Sequence, residues 1–387
     1  MRVCAVICEY NPFHLGHAYH LRAAREASGA DYILCLMSGA LTQRGAFARH
    51  DKWLRARAAL ENGADVVLEL PTRFACAPAP DFAGGGVALL TALGVVTHLS
   101  FGCEPSALPL LASAASLFKA ESPAFSAALR ARLAEGLPYP RARALAAEQA
   151  ENLPADLLAQ PNAALALEYL QALPDTVVPV PVARRGSSYH DASLSALSSA
   201  TAVRAALARG DLPDALSAVP SPEALRAAEE SGFVHEEEAL TQALLYRLRT
   251  ARPDELAALY GMDEGLENRF LFAARTCSSR ETLLDAVKTR RYTRARLSRL
   301  CAYTLLNLTR DFADANRTPD YARVLGFRKS AAPLLKAVKQ RSAIPLITKA
   351  ADFDRDRKNF ALDVLAQDLW SLGVLNPSLR TSGRDFT

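Results

Sequence analysis

Short apolar runs alternate with longer stretches of helical period through the first hundred residues. Residues 2–9, 32–37, 65–70 and 95–101 are of strand length and are mostly apolar throughout, without the every-second-residue polarity of a strand that has one wet face. Strands of that kind are covered on both sides. Helical periodicity fills the gaps over residues 18–27, 51–62 and 82–93, and Gly29, Gly63 and Gly94 close the three stretches. Strand and helix repeating in this order build an α/β fold with a parallel sheet between two helical layers. Ligands of such sheets bind beyond the carboxyl ends of the strands, so chemistry is expected in the loops after Glu9, Met37, Leu70 and Phe101.

The rest of the chain changes character. Residues 105–175 are rich in Ala and Leu and read as helices, broken at residues 136–140 and at Pro161-Asn162. A further strand is expected over residues 177–182, followed by a polar loop that contains Arg184, Arg185, Tyr189, His190 and Asp191. Helical patterns then dominate to about residue 315, before a final segment with Val324-Leu325-Gly326, Ile344-Pro345-Leu346 and a terminal helix. Two regions are expected, residues 1–210 and a mainly helical region over residues 211–387.

Composition narrows the function classes. Half of the 387 residues are hydrophobic, enough for real cores and too many for a disordered chain. No apolar run approaches the ~18 residues that cross a membrane. Residues 1–9 lack the length and small-residue site of a signal peptide and are expected to be structure. Seven cysteines form an odd set without a CxxC pair, which fits neither a disulfide framework nor a thiolate zinc site and points to the cytoplasm. The net charge of +4 conceals an asymmetry: residues 269–349 hold 18 Arg or Lys against 5 Asp or Glu, so the rest of the chain is acidic. Positive charge concentrated in this way suits a polyanion such as nucleic acid. No protein partner can be inferred.

The sharpest local signal is Glu9-Tyr10-Asn11-Pro12-Phe13-His14-Leu15-Gly16-His17, between the first strand and the first helix. A helix N-terminus offers unpaired N–H groups and partial positive charge to a phosphate, and two imidazoles flank this one. Gly16 between them keeps the backbone open to close approach. His14 and His17 are therefore the catalytic candidates, suited to stabilising charge on an α-phosphate. His14, His17 and His20 as a metal cluster is the weaker alternative, because no carboxylate or Cys sits at usable spacing on that face.

This stretch resembles the HxGH signature of nucleotidyltransferases, and its longer form resembles the tRNA(Met) cytidine acetate ligases. Matches continue in order along the chain: Met37-Ser38-Gly39, Gln43-Arg44-Gly45, Lys52-Trp53, Leu68-Glu69-Leu70-Pro71, Ser100-Phe101-Gly102, Gln160-Pro161-Asn162, Tyr189-His190-Asp191, Ser199-Ala200-Thr201 and Lys288-Thr289-Arg290-Arg291-Tyr292-Thr293. The resemblance implies a Rossmann-like HxGH nucleotidyltransferase domain over residues 1–210 and a basic, tRNA-binding region over residues 211–387. It implies an ATP site made by Ile7, Cys8, Glu9, Tyr10, Asn11, Pro12, Phe13, His14, Leu15, Gly16, His17 and His20, with Gly102, Asn162, Arg184, Arg185 and Ser199. Residues 199–204 resemble the element that closes over the triphosphate in related transferases. The chain departs from the family pattern at Leu15, Ala46-Phe47 and residues 163–166, so contacts from those side chains are not carried over.

The activity implied is ATP-dependent: acetate becomes acetyl-adenylate, and the acetyl group passes to the wobble cytidine of elongator tRNA(Met), giving N(4)-acetylcytidine. Mg²⁺ is expected with ATP, its ligands unknown. Lys288, Arg290, Arg291, Tyr292, Arg294, Arg296 and Arg299 are the candidate tRNA contacts, through phosphates and base stacking. An adenylyltransferase for a small phosphorylated metabolite shares the HxGH motif and is the alternative. It leaves the basic C-terminal region without a role.

Overall fold

The computed structural model describes residues 1–158, 160–183, 199–349 and 357–386. Its centre is a sheet of seven strands in the order β5-β4-β1-β2-β3-β6-β7. The strands are β1 (Val3–Cys8), β2 (Tyr32–Ser38), β3 (Val66–Leu70), β4 (His98–Gly102), β5 (Val178–Val182), β6 (Ala322–Phe327) and β7 (Leu346–Ile347). The first five run parallel to one another, β6 runs antiparallel to β3, and β7 is parallel to β6.

The unbroken apolar character of the strands has a direct cause in this arrangement. Along β1, Val3 and Ala5 face one core together with Leu34, Val66, Phe82, Val87 and Leu111. Cys4 and Val6 face the other, with Ile33, Val67, Leu21, Ala56 and Ala59. Successive side chains of a strand point to opposite faces, and here both faces are buried, one of them by α1 (Leu15–Ser28) and α2 (Lys52–Glu61). Short α3 (Thr72–Ala75) and longer α4 (Ala79–Ala92) lie on the opposite side.

Two differences from the sequence reading matter for function. Helix α1 begins at Leu15, so His17 lies inside its first turn and His14 caps it, rather than both preceding the helix. Strands β6 and β7 come from beyond residue 210 and extend the sheet past β3. The helical region has its own core of residues such as Leu244, Phe270, Leu297 and Trp370, which also takes in Ala40, Leu41 and Cys76 from the loops after β2 and β3.

A buried ionic cluster ties these parts together. Lys52 Nζ lies 2.8 Å from Glu69 and 2.7 Å from Asp385, and Arg323 lies 3.1 Å from Asp385 and 3.5 Å from Glu69. All four are removed from solvent, so each charge depends on its partners for the solvation it has lost. The chain's last turn is thereby fixed to α2, β3 and β6.

Strand β1 lies between β2 and β4, and chain connections leave it in opposite directions. A crevice opens at the carboxyl ends of strands at such a switch point. The residues after β1 and β4 stand at its edge.

Candidate active site

His14 is the N-cap of α1. Its Nδ1 accepts the N–H of Gly16 at 3.0 Å, while Nδ1 of His17 accepts the N–H of His14 at 3.3 Å. Two imidazoles thus form a capping box, a role more often filled by Ser or Thr with Glu or Gln. A backbone N–H can only donate, so both Nδ1 atoms are unprotonated and each neutral ring carries its proton on Nε2. The rings stack with centroids 3.7 Å apart. The cap therefore selects the tautomer that offers an Nε2–H donor. Gly16 is needed for a reason the sequence does not reveal: a Cβ there would stand 2.8 Å from Cε1 of His14, and the capping ring would be displaced.

Above this helix end lies a cleft of roughly 630 Å³. Of the residues expected from the sequence, Glu9, Asn11, His14, Gly16, His17, His20, Gly102, Asn162 and Ser199 line it. Ile7, Cys8, Tyr10, Pro12, Phe13 and Leu15 do not. Tyr10 and Phe13 are buried beneath the loop, and the Tyr10 hydroxyl lies 3.4 Å from Cys35 Sγ. Burial drives the Cys8 thiol and Tyr10 hydroxyl well above their usual values, which leaves both neutral and inert. Leu15 donates its N–H to Ala218 at 2.9 Å. Arg184, Arg185, Tyr189, His190 and Asp191 lie outside the described residues.

A second helix end faces the same cleft. Ser199 caps the helix Ala200–Ala208 by accepting the N–H of Ala202 at 3.2 Å, and Ala200 and Thr201 are part of the wall. Arg204, one turn further on, donates to the carbonyl of Asn11 at 2.5 Å and to Thr201 at 3.3 Å. Two helix N-termini aimed at one cavity supply fixed partial positive charge for an anion such as a polyphosphate.

The cleft loops are held by a buried arginine, Arg55, and a half-buried one, Arg49, that sequence reasoning missed. Arg55 reaches under the site and donates to the carbonyls of Glu9 (2.7 Å), Ser38 (3.0 Å), His50 (3.0 Å) and Gly39. Burial brings its guanidinium down to about 10, so it remains charged at neutral pH. Arg49 forms a bidentate pair with Glu229 at 2.8 and 2.7 Å and a third bond to Glu236 at 2.8 Å. Burial alone would raise the Glu229 carboxyl, but hydrogen bonds from Arg49 and His50 hold it down to about 2. His50 itself is kept neutral by burial, so the positive charge facing Glu229 is that of Arg49. Tyr19, Thr42, Arg44, Phe47, His235 and Glu237 complete the wall. Several of them converge from elements far apart in sequence, which no local motif announces.

His20 Nε2 lies 3.0 Å from Ser100 Oγ, while His14 and His17 turn Nδ1 to the backbone. Among the described residues no group of three or more His, Cys, Asp or Glu could hold a metal ion. The described side chains of this wall therefore form no cage for a cation.

The basic segment also differs from its sequence reading. Its helix spans Arg294–Leu306, so Lys288, Arg290, Arg291 and Tyr292 precede it. Lys288, Arg290 and Arg291 are exposed. Tyr292 is buried, with its hydroxyl donating to Glu264 at 3.0 Å, and its ring has no face for a stacking base. Arg294 pairs with Glu281 and Asp285, and Arg296 donates to the carbonyl of Gly261 at 3.2 Å. Arg299 is buried and donates to the carbonyl of Gln43 at 3.2 Å, docking this helix on the loop that lines the cleft.

A family model described as HIGH Nucleotidyl Transferase matches residues 1–385. Proteins named tRNA(Met) cytidine acetate ligase match over the full length: one from Acetivibrio thermocellus is 33% identical over 100% of this chain and 99% of its own, and one from Halothermothrix orenii is 35% identical over 100% and 98%. The chain belongs to this ligase family. Its fold is that of the HIGH nucleotidyl transferases, with helices on a mostly parallel sheet. A crystal structure of Thermotoga maritima TmcAL bound with alpha-thio ATP superposes with a TM-score of 0.92 at 30% identity, covering 100% of this chain and 98% of that one. The apo form of the same ligase gives 0.93 at 31% identity. The division of the family resemblance into motifs is thus matched by likeness along the whole chain. No helix among the described residues is long and apolar enough to cross a membrane.

Proposed function

We propose that this chain is an ATP-dependent tRNA(Met) cytidine acetate ligase of the cytoplasm. The observation that carries this reading is the cleft at the sheet's switch point, where two helix N-termini and the reciprocally capping histidines face one cavity in a chain alike throughout to such ligases. Acetate attacks the α-phosphorus of ATP, the bond to the β-phosphate breaks, and pyrophosphate leaves. The amine of the wobble cytidine in elongator tRNA(Met) then attacks the acetyl carbon, N(4)-acetylcytidine forms, and AMP departs.

His14 and His17 are assigned the role of Nε2–H donors to the α-phosphate, where charge develops. The N-termini of α1 and of Ala200–Ala208 hold the triphosphate, with Arg184 and Arg185 as further phosphate partners. Gly102 and Asn162 border the nucleotide. Mg²⁺ would accompany ATP and lessen the charge on the departing pyrophosphate, with no side chain assigned as its ligand. Residues 1–210 are assigned the adenylate chemistry and residues 211–387 the tRNA, with Lys288, Arg290 and Arg291 as the exposed cations of the basic segment.

The test is exchange of labelled pyrophosphate into ATP by the purified protein. The reading requires exchange that depends on acetate and proceeds without tRNA. Absence of such exchange, with turnover of a phosphorylated metabolite instead, would replace it with a coenzyme-type adenylyltransferase.

A further inference from the structure

The reaction proposed above needs somewhere for the amine proton to go, and one residue in the cleft wall has the chemistry for it. His235 is buried, yet it lines the cleft. Its Nδ1 lies 2.9 Å from the carbonyl oxygen of Trp370. A carbonyl only accepts, so Nδ1 carries the proton and Nε2 presents a lone pair. Among the described residues that Nε2 has no hydrogen-bond partner. Buried acceptors are paired as a rule, so one left without a donor in the wall of a cleft calls for an explanation.

Its surroundings fix the ring in place. Phe47 stacks on it with centroids 4.7 Å apart, and Trp370 lies beyond at 6.1 Å. Gly373 permits the fit, since a Cβ there would stand 2.0 Å from Cε1 of the ring. The backbone N–H of His235 bonds to the carbonyl of Arg49 at 2.8 Å, and the N–H of Arg49 bonds to Asn11 at 2.9 Å. His235 is therefore coupled through one residue to the loop that carries His14. Phe47, half-buried in the same wall, offers apolar ring surface beside it.

We infer that Nε2 of His235 accepts a proton from the exocyclic amine of the acceptor base as that amine attacks the acetyl carbon. This rests on the acetate-ligase reading. The amine nitrogen forms the C–N bond, the acyl C–O bond to the adenylate breaks, and AMP leaves with the electron pair. The amine proton passes to Nε2 and from there to solvent. An exocyclic amine donates and a lone-pair nitrogen accepts, so the same contact selects an amino-bearing base over a keto-bearing one. Burial, with Arg280 and Arg49 nearby, brings the imidazole down to about 4, so at neutral pH the acceptor is unprotonated and gives up a captured proton readily.

Two variants separate this role from packing. Asn at this position keeps a donor for the Trp370 carbonyl and removes the acceptor, whereas Gln carries an acceptor to the place of Nε2. In each preparation, acetate-dependent pyrophosphate exchange and single-turnover acetyl transfer to tRNA(Met) are measured together, because their ratio cancels any loss of folded protein. The expected result is a fall of about 10²-fold in transfer relative to exchange for His235→Asn and His235→Gln alike, since an amide oxygen accepts a hydrogen bond but does not take up the proton; recovery in His235→Gln would overturn the inference in favour of a hydrogen-bonding role. Equal loss of both half-reactions in both variants would overturn the inference in favour of packing. A raised KM for ATP at an unchanged ratio would overturn it in favour of adenine recognition. Lack of acetate-dependent exchange in the wild type would instead remove the ligase reading, and this inference with it.

Discussion

Substituting His17 separates the cap that its ring forms from the donor role proposed for it. Nδ1 accepts the N–H of His14 and so caps α1, while Nε2 is the donor assigned to the α-phosphate. In His17→Asn the side-chain oxygen replaces Nδ1 as the acceptor, so the cap survives and the donor is lost. Loss of one such donor from a preorganised site costs about 3 kcal/mol, or 10²–10³ in rate. Stability should change by less than about 0.5 kcal/mol, since the cap bond remains. His17→Ala loses both functions, and its unfolding free energy should fall by about 1 kcal/mol more, the usual value of a cap. Acetate-dependent pyrophosphate exchange reads the first effect, and urea unfolding reads the second. If His17→Asn exchanged pyrophosphate at close to the wild-type rate, Nε2 would have no part in activation and the reasoning from tautomer to chemistry would fail.

Removing the Arg55 guanidinium strands four buried carbonyls, so Arg55→Met should lose about 3–5 kcal/mol in urea unfolding, and ATP should stabilise the variant less than the wild type. Burial, then the charge of Glu69, raises the Asp363 carboxyl from 3.8 to about 7. A carboxyl whose value is raised on folding contributes stability that is complete below about 3.8 and is lost as pH rises toward 7, so wild type should lose stability relative to Asp363→Asn across that window in pH-resolved urea melts. Replacing Lys288, Arg290 and Arg291 with Ser should flatten the dependence of log tRNA affinity on log salt by about 2 and leave acetate-dependent exchange intact, whereas an unchanged slope would place the RNA elsewhere.

The fold was legible where its cause is local. Strands β1 to β4 follow from apolar runs buried on both faces, β5 from a β-branched run at the sheet's edge, and α1, α2 and α4 from helical period between turn signals. The position of β6 was not, because Ala322–Phe327 reaches β3 across some 250 residues of chain and no local pattern selects that edge. The motif histidines were legible as residues of a strand-to-helix junction, where they line the cleft, and their service as reciprocal caps was not, since that depends on where the first helical turn starts. Arg49, Arg55 and His235 look like ordinary charged or isolated residues in sequence. Only the packed structure shows the four carbonyls around Arg55, the carboxylate opposite Arg49 and the lone pair of His235. Burial also departs from the sequence reading, because Tyr292 and Arg299 in the basic run fasten helices, whereas Lys288, Arg290 and Arg291 stay exposed.

The most direct test of the central claim is to incubate the purified chain with ATP, labelled acetate and a tRNA(Met) transcript, then digest the RNA to nucleosides. The account predicts label in N(4)-acetylcytidine at the wobble position alone, formed in step with AMP and pyrophosphate and lost with the wobble cytidine changed to uridine. Label that stayed out of the RNA while ATP and a phosphorylated metabolite were consumed together would contradict it.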